Sequence, residues 1–117
     1  MARANSAVAF LPRFTTLVGA TSFTTTPIDT SRLESVRLQL WRGDLRGTTP
    51  TFALYLEESL DAENWVQGPG SSAAFDVSAA GQTKFLSYCF QLRWFRLRVE
   101  LGGTAPMVTC WAEGLLQ

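Results

Sequence analysis

Residues 87–101 read SYCFQLRWFRLRVEL and form the longest stretch of the sequence with a clear two-residue period. From residue 94 onward, apolar side chains at odd positions alternate with Trp, Arg and Glu at even positions. Upstream, Tyr88, Phe90 and Leu92 occupy even positions, so the apolar set changes phase between residues 91 and 95. A period of two is typical of a β-strand, and a phase change indicates a bulge or a bend at a sheet corner. We therefore predict one long, bent strand over residues 87–101.

The strand period recurs over residues 33–41, 51–59 and 107–116. Polar, Gly-rich segments between them predict a loop over residues 42–50 and turns at 60–64 and at Gly102–Gly103. No stretch carries the period of an amphipathic helix of useful length. The inward-facing positions of the strands predict a core of Val36, Leu38, Leu40, Phe52, Leu54, Leu56, Phe95, Leu97, Val99 and Val108.

Short strands separated by Gly and Pro indicate an all-β chain, an antiparallel β-sandwich of jelly-roll type. Residues 13–117 are expected to form this single domain, beginning with a Thr-rich strand over 14–26 in which Gly19 is a turn or bulge. Residues 1–12 are small and weakly patterned, which predicts an N-terminal arm. The remaining predictions are a loop at 67–74, a short strand at 75–77 and a turn at 79–83.

The charge composition argues against a nucleic-acid or membrane partner, because ten basic and ten acidic residues cancel. Nine of the ten bases are arginine, and Lys84 is the only lysine. Arginine is favoured in protein contacts because its planar fork binds carboxylates bidentately, although a genomic arginine bias explains the composition equally well. We expect no signal peptide, since the apolar stretch after Arg3 is too short, and no membrane-spanning segment.

The residues that carry common chemistry are absent or isolated. There is no histidine, which excludes Ser-His-Asp and Cys-His nucleophiles. Asp61 and Glu63 suggest either a weak calcium site or, more simply, a turn in which Asp61 accepts backbone hydrogen bonds. Cys89 and Cys110 are expected to be buried thiols, with a disulfide as the alternative. We predict no catalysis, cofactor or metal, with a carboxylate-only hydrolase as the surviving enzyme alternative.

Several large side chains are predicted to point away from the core. Trp41, Trp94 and Trp111 fall opposite the inward positions of their strands. Either a second layer covers them, with Arg stacked on Trp, or they belong to an interface, where Trp and Arg are enriched. The candidate interface residues are Trp41, Trp94, Arg96, Arg98, Trp111 and, in the arm, Phe10. The tripeptide Arg42-Gly43-Asp44 matches an integrin-binding sequence, but a solvated turn explains it as well.

Two segments resemble a known family. Residues 55–65, YLEESLDAENW, resemble the strand, Ser-x-Asp turn and following Trp of galactose-binding-like (discoidin-type) jelly rolls. Residues 94–99, WFRLRV, resemble the later aromatic-x-Arg strand of that family. Small proteins with both signatures are common among structural proteins of tailed bacteriophages, where they act as decoration, cement or auxiliary head and tail proteins.

The resemblance implies a non-enzymatic virion structural protein that decorates or cements a phage capsid. Its expected partners are the major capsid protein or other virion proteins, bound in multiple copies or as a homo-oligomer. Its expected location is the virion, assembled in the host cytoplasm. The alternative is a carbohydrate-binding module of galactose-binding-like type, in which Tyr55 and Trp65 stack on sugar rings. Because Trp65 begins a strand after a turn, we expect it in the core instead and expect no sugar binding.

Overall fold

A computed structural model describes residues 6–67 and 82–117, and within these ranges all regular structure is β-strand. The all-β, antiparallel fold class is thereby confirmed. The predictions at 67–74, 75–77 and 79–83 lie wholly or mainly outside the described residues. The strands are β1 (Ser6–Val18), β2 (Thr21–Thr24), β3 (Ile28–Asp29), β4 (Ser35–Arg42), β5 (Arg46–Ser59), β6 (Val66–Gln67), β7 (Gln82–Cys89) and β8 (Trp94–Leu116).

The sheet is built around β8, which pairs antiparallel along both of its edges. On one edge it pairs with β1, β2 and β3 in turn, from Ser6 opposite Leu116 to Asp29 opposite Trp94. On the other edge it pairs with β4 and then β5, which ends at Ser59 opposite Trp94. Strand β7 adds to β4, and β6 adds to β5.

The long central strand is folded over near its middle. Its 23 residues would span about 76 Å at about 3.3 Å each, whereas the longest dimension of the molecule is 49 Å. Gly103 has φ of +110° and Gly47, on the neighbouring strand, has φ of +122°. A Cβ on Gly103 would lie 2.8 Å from the Thr49 carbonyl oxygen. The turn predicted at Gly102–Gly103 is therefore wrong: these glycines bend one strand instead of separating two.

Folding β8 over brings the two halves of the sheet face to face. The β4 layer comprises β1, β4, β7 and residues 107–116 of β8, and the β5 layer comprises β2, β3, β5, β6 and residues 94–101. The Phe95 ring of the β5 layer lies 5.8 Å from the rings of Phe10 and Tyr88 in the β4 layer. All ten predicted core residues are buried between the layers, each contributing about 1.5–3 kcal/mol. The curled sheet is consistent with a β-sandwich.

The stretch 87–101 is two strands, not one, because β7 ends at Cys89 and β8 begins at Trp94. Residues 90–93 cross from the β4 layer to the β5 layer, which explains the change of phase. Glu58, which is fully buried, accepts hydrogen bonds from the Gln91 and Leu92 N–H groups at 2.8 and 3.0 Å. The Glu58 carboxylate, on β5, thus holds the segment that crosses between the two layers.

Two other predicted boundaries differ from the structure. The loop predicted at 42–50 is confined to residues 43–45, because β5 begins at Arg46 and pairs along the bend of β8. The N-terminal arm predicted for residues 1–12 is not confirmed over residues 6–12, which belong to β1 and pair with β8. Phe10 and Leu11 are buried in the core. Residues 1–5 lie outside the described part of the chain.

Candidate functional site

The outer face of the β5 layer carries a self-contained network, the arginine ladder, formed by Trp65, Arg96, Glu57, Arg98 and Tyr55. The guanidinium of Arg96 lies 4.0 Å from the Trp65 ring centroid, and that of Arg98 lies 4.1 Å from Tyr55. Glu57 accepts from both, with N–O distances of 2.9 and 3.0 Å. Because each ring has a guanidinium over it, the aromatic surfaces expected to stack on sugars are covered within the chain.

Three of the predicted interface residues lie on this face and have partners within the chain. The side chains of Arg96 and Arg98 are 19% and 27% exposed, and Arg98 also contacts Glu100. The Trp94 ring lies under the guanidinium of Arg93, 5.5 Å from its centroid. Arginine side chains of the same chain therefore stack on the aromatic rings of this face, which is the first of the two alternatives given for the outward tryptophans. Trp65 lies on this outer face, so its expected position in the core is wrong.

The outer face of the β4 layer carries an aromatic cluster formed by Phe14, Trp41 and Trp111. The Trp41 and Trp111 rings stack with centroids 6.5 Å apart, and Phe14 meets Trp41 edge-on at 5.7 Å. Arg13 lies over Trp111 at 4.4 Å and forms an ion pair with Glu113 at 2.8 Å. These neighbours leave Trp111 only 6% exposed, so it contributes little free surface.

Phe14 is held on this face by an uncommon backbone conformation. Its φ is +60°, in the left-handed region, which costs about 1–2 kcal/mol for a residue with a Cβ. The residue lies in a register shift of β1 between Leu11 and Thr15, where Thr15 Oγ1 donates to the Pro12 carbonyl at 2.6 Å. The ring nevertheless stays 65% exposed. Phe14 thus displays an apolar ring to solvent from a backbone position that costs energy.

Other exposed apolar side chains extend from the cluster across the same face. Val18 is 73% exposed and Met107 is 36% exposed, and the two are paired between β1 and β8. We call the set of Phe14, Val18, Trp41 and Met107 the apolar strip. Phe85, 65% exposed, lies on β7 at the other side of this face. Exposed apolar side chains grouped on one face favour a protein contact site.

A cavity of about 360 Å³ opens beside the strip. Its lining is Trp41, Gly43, Asp44, Arg46, Met107, Val108 and Thr109. The Gly43 N–H donates to the Thr109 carbonyl at 2.7 Å. A Cβ on Gly43 would lie 3.2 Å from Trp41 Cη2, so glycine here keeps the cavity wall close to the indole.

The Arg42-Gly43-Asp44 tripeptide forms part of this region, with Arg42 at the end of β4 and only Gly43 and Asp44 in the short loop that follows. Arg42 ends β4 and is only 7% exposed, whereas Asp44 is 70% exposed. An integrin-type contact requires both charged side chains to be accessible, so the geometry does not fit that use.

The acidic turn after β5 is organised by hydrogen bonds, as the simpler sequence interpretation predicts. The Asp61 carboxylate accepts from the backbone N–H groups of Asn64 and Glu63 and from the Asn64 and Ser59 side chains. The hydrogen bonds from Asn64 and Glu63 hold the pKa of Asp61 well below its ordinary value. Within residues 6–67 and 82–117 no three His, Cys, Asp or Glu side chains come together as metal ligands.

The two cysteines are free thiols in different environments. Cys110 is buried, as predicted, and burial raises the pKa of its thiol to about 11. Cys89 is exposed at the end of β7, so its predicted burial is wrong. The two do not form a disulfide, because Cys89 lies opposite Ser35 and Cys110 lies opposite Arg42, at the other end of β4.

Comparison with protein-family models, curated proteins and solved structures gave no match. The resemblance to galactose-binding-like jelly rolls is therefore still a hypothesis. The described residues contain no helix that is long and apolar enough to cross a membrane.

The fold separates the predicted interface residues. Phe10 is in the core against Phe95, whereas Trp41 lies on the outer face beside the cavity. Sequence reasoning missed Arg13 and Phe14, because a left-handed residue in a register shift leaves no period to detect. The outward position of Met107 was detectable, since it alternates with the inward Val108.

Proposed function

We propose that this protein is a non-enzymatic virion structural protein that decorates or cements a phage capsid through protein–protein contacts. The observation that carries the proposal is the difference between the two outer faces. On the β5 layer, the arginine ladder satisfies its aromatic and charged groups within the chain. On the β4 layer, the apolar strip stays open to solvent, which favours contact with another protein.

A contact of ordinary dimensions would take a small share of the molecular surface. A stable interface takes roughly 800 Å² from each partner, about an eighth of the accessible surface of 6543 Å². Repetition over many equivalent positions on a shell would make modest single contacts strong collectively. The expected partners are the major capsid protein or other virion proteins, and the balanced charge argues against nucleic acid and anionic membranes.

Two finer features belong to this proposal. The jelly-roll connectivity stays a prediction, as does an N-terminal arm that contacts a neighbouring subunit. Deletion of residues 1–5 tests the arm more cleanly than deletion of residues 1–10, because the longer deletion removes Phe10 from the core and strand pairs from β1.

The direct test is co-sedimentation of the purified chain with phage shells. The chain is mixed with heads and with tails assembled from the structural genes that neighbour its own, and pelleted by ultracentrifugation. We expect saturable binding to heads. Association with no shell, no tail and no copy of itself would refute the virion function, and sugar-dependent binding on a glycan array would favour the carbohydrate-binding alternative.

A further inference from the structure

One arrangement of side chains recurs on the outer surface of the molecule. Each instance consists of an aromatic ring, a guanidinium stacked over it, and a carboxylate that pairs with the guanidinium. The guanidinium carbons lie 4.0–5.5 Å from the ring centroids. The four instances are Trp111 with Arg13 and Glu113, Trp94 with Arg93 and Asp29, Trp65 with Arg96 and Glu57, and Tyr55 with Arg98 and Glu57.

Trp41 is the exception among the outward Trp and Tyr rings of the described residues. The Trp41 ring contacts the rings of Phe14 and Trp111. Within the described part of the chain, no arginine guanidinium is stacked over the Trp41 ring. A carboxylate is nevertheless in place, because Asp44 lines the same cavity as the indole. The Asp44 side chain is 70% exposed, and its contact with Arg46 is long, at 3.9 Å.

We propose that the Trp41 cavity binds the guanidinium of an arginine side chain from a partner protein. The indole supplies the aromatic surface and Asp44 the carboxylate, so the incoming group completes the arrangement that the chain forms four times by itself. The cavity volume of about 360 Å³ is within the range of sites that hold small groups. This inference rests on the proposed function, since it names a contact group for the same face.

Arg46 is the competing group at this site. Its side chain is 68% exposed, and an exposed ion pair is worth little, so a partner's guanidinium can displace it from Asp44. Removing the Arg46 charge should therefore strengthen binding, whereas removing the Asp44 charge should weaken it. Opposite effects from neighbouring exposed residues are a pattern that a change in folding would not produce.

The test is an NMR titration of the full chain with N-acetyl-L-arginine amide. The indole N–H resonance of Trp41 is assigned by its loss in Trp41→Phe. We expect this resonance to shift with weak, millimolar affinity, and the citrulline analogue, which has nearly the same shape without the charge, to leave it in place. Affinity should fall about fivefold in Asp44→Asn and rise in Arg46→Gln. Glu63→Gln, which removes an exposed carboxylate in the β5–β6 turn, should match the unmodified chain.

Three results would overturn the proposal. One is an equal shift with the citrulline or lysine analogue, since the site would then not select a guanidinium. The second is unchanged affinity in Asp44→Asn. The third is a shift of the Trp41 resonance by a methyl pyranoside but not by the arginine amide, which would assign the cavity to a sugar. No shell is present in this titration. A failure of guanidinium binding at Trp41 can therefore be distinguished from a failure of the chain to bind the shell.

Discussion

The buried carboxylate of Glu58 accepts a hydrogen bond from the hydroxyl of Tyr88, across the interior between the two layers of the folded sheet. Its other oxygen accepts from the backbone of the crossing at residues 90–93. Burial and the Glu58 carboxylate raise the pKa of Tyr88 well above its ordinary 10.0, which keeps the donating proton in place. One carboxylate thus joins β5, β7 and the crossing that leads into β8.

The first prediction concerns this carboxylate. Glu58→Gln preserves the shape of the side chain but removes the charge, and the amide NH2 that replaces Oε2 cannot accept the hydrogen bond that Tyr88 donates. Since a hydrogen bond to a charged group contributes about 1.5–3 kcal/mol, we expect the free energy of unfolding to fall by at least about 2 kcal/mol. Urea unfolding monitored by Trp fluorescence measures it, with Glu63→Gln as the exposed control. Equal midpoints for the two variants would contradict the structural role of Glu58.

The second prediction concerns the bend in β8. Gly103→Ala combines a left-handed φ with a Cβ 2.8 Å from a backbone oxygen, whereas Gly19→Ala combines a similar φ with open space. We expect Gly19→Ala to cost about 1 kcal/mol and Gly103→Ala clearly more, because the backbone must shift. The two melting temperatures provide the measurement. A Gly103→Ala chain as stable as Gly19→Ala would mean that the two strands are not packed this closely at the bend.

The third prediction is a dependence of stability on pH from the β5–β6 turn. The pKa of Asp61 is lowered in the folded chain by its hydrogen bonds. Its contribution is therefore fully present above the ordinary carboxyl pKa of 3.8 and is lost as the pH falls toward the lower folded value. In the Asp61→Asn chain, the melting temperature should therefore change less with pH over this acidic range. An unchanged slope in Asp61→Asn would assign the acid sensitivity to other carboxylates.

The core could be read from the sequence because it depends only on the two-residue period. All ten predicted core residues are buried, since alternation places a side chain on one face whatever strand lies next to it. The end of β7 and the start of β8 could not be read in the same way. A strand that bulges and a pair of strands that cross between layers give the same change of phase at residues 91–95.

The outer faces were less predictable because they depend on which strands are neighbours. Sequence alternation places Arg96 and Arg98 outward, but only the pairing of β5 with β8 brings them to Glu57 and Tyr55. Likewise, the display of Phe14 depends on a register shift in β1. Glycine usually marks a left-handed position, and here a phenylalanine occupies it.

The fourth prediction is that the apolar strip of the β4 layer binds the shell. Phe14→Ser combined with Val18→Ser removes the two most exposed apolar side chains of the strip, which are 65% and 73% exposed and bury little in the folded chain. We expect the fold to be kept and shell affinity to fall about tenfold or more, because a few buried side chains carry most of the binding energy of an interface. Leu60→Ser, at an equally exposed position (71%) in the β5–β6 turn, is the matched control.

The most direct measurement is therefore quantitative co-sedimentation of these two variants and the unmodified chain with assembled phage heads. We expect Leu60→Ser to pellet with the heads as the unmodified chain does, and the Phe14→Ser/Val18→Ser chain to stay in the supernatant at the same concentrations. Equal pelleting of all three chains would contradict the assignment of the apolar strip as the docking surface.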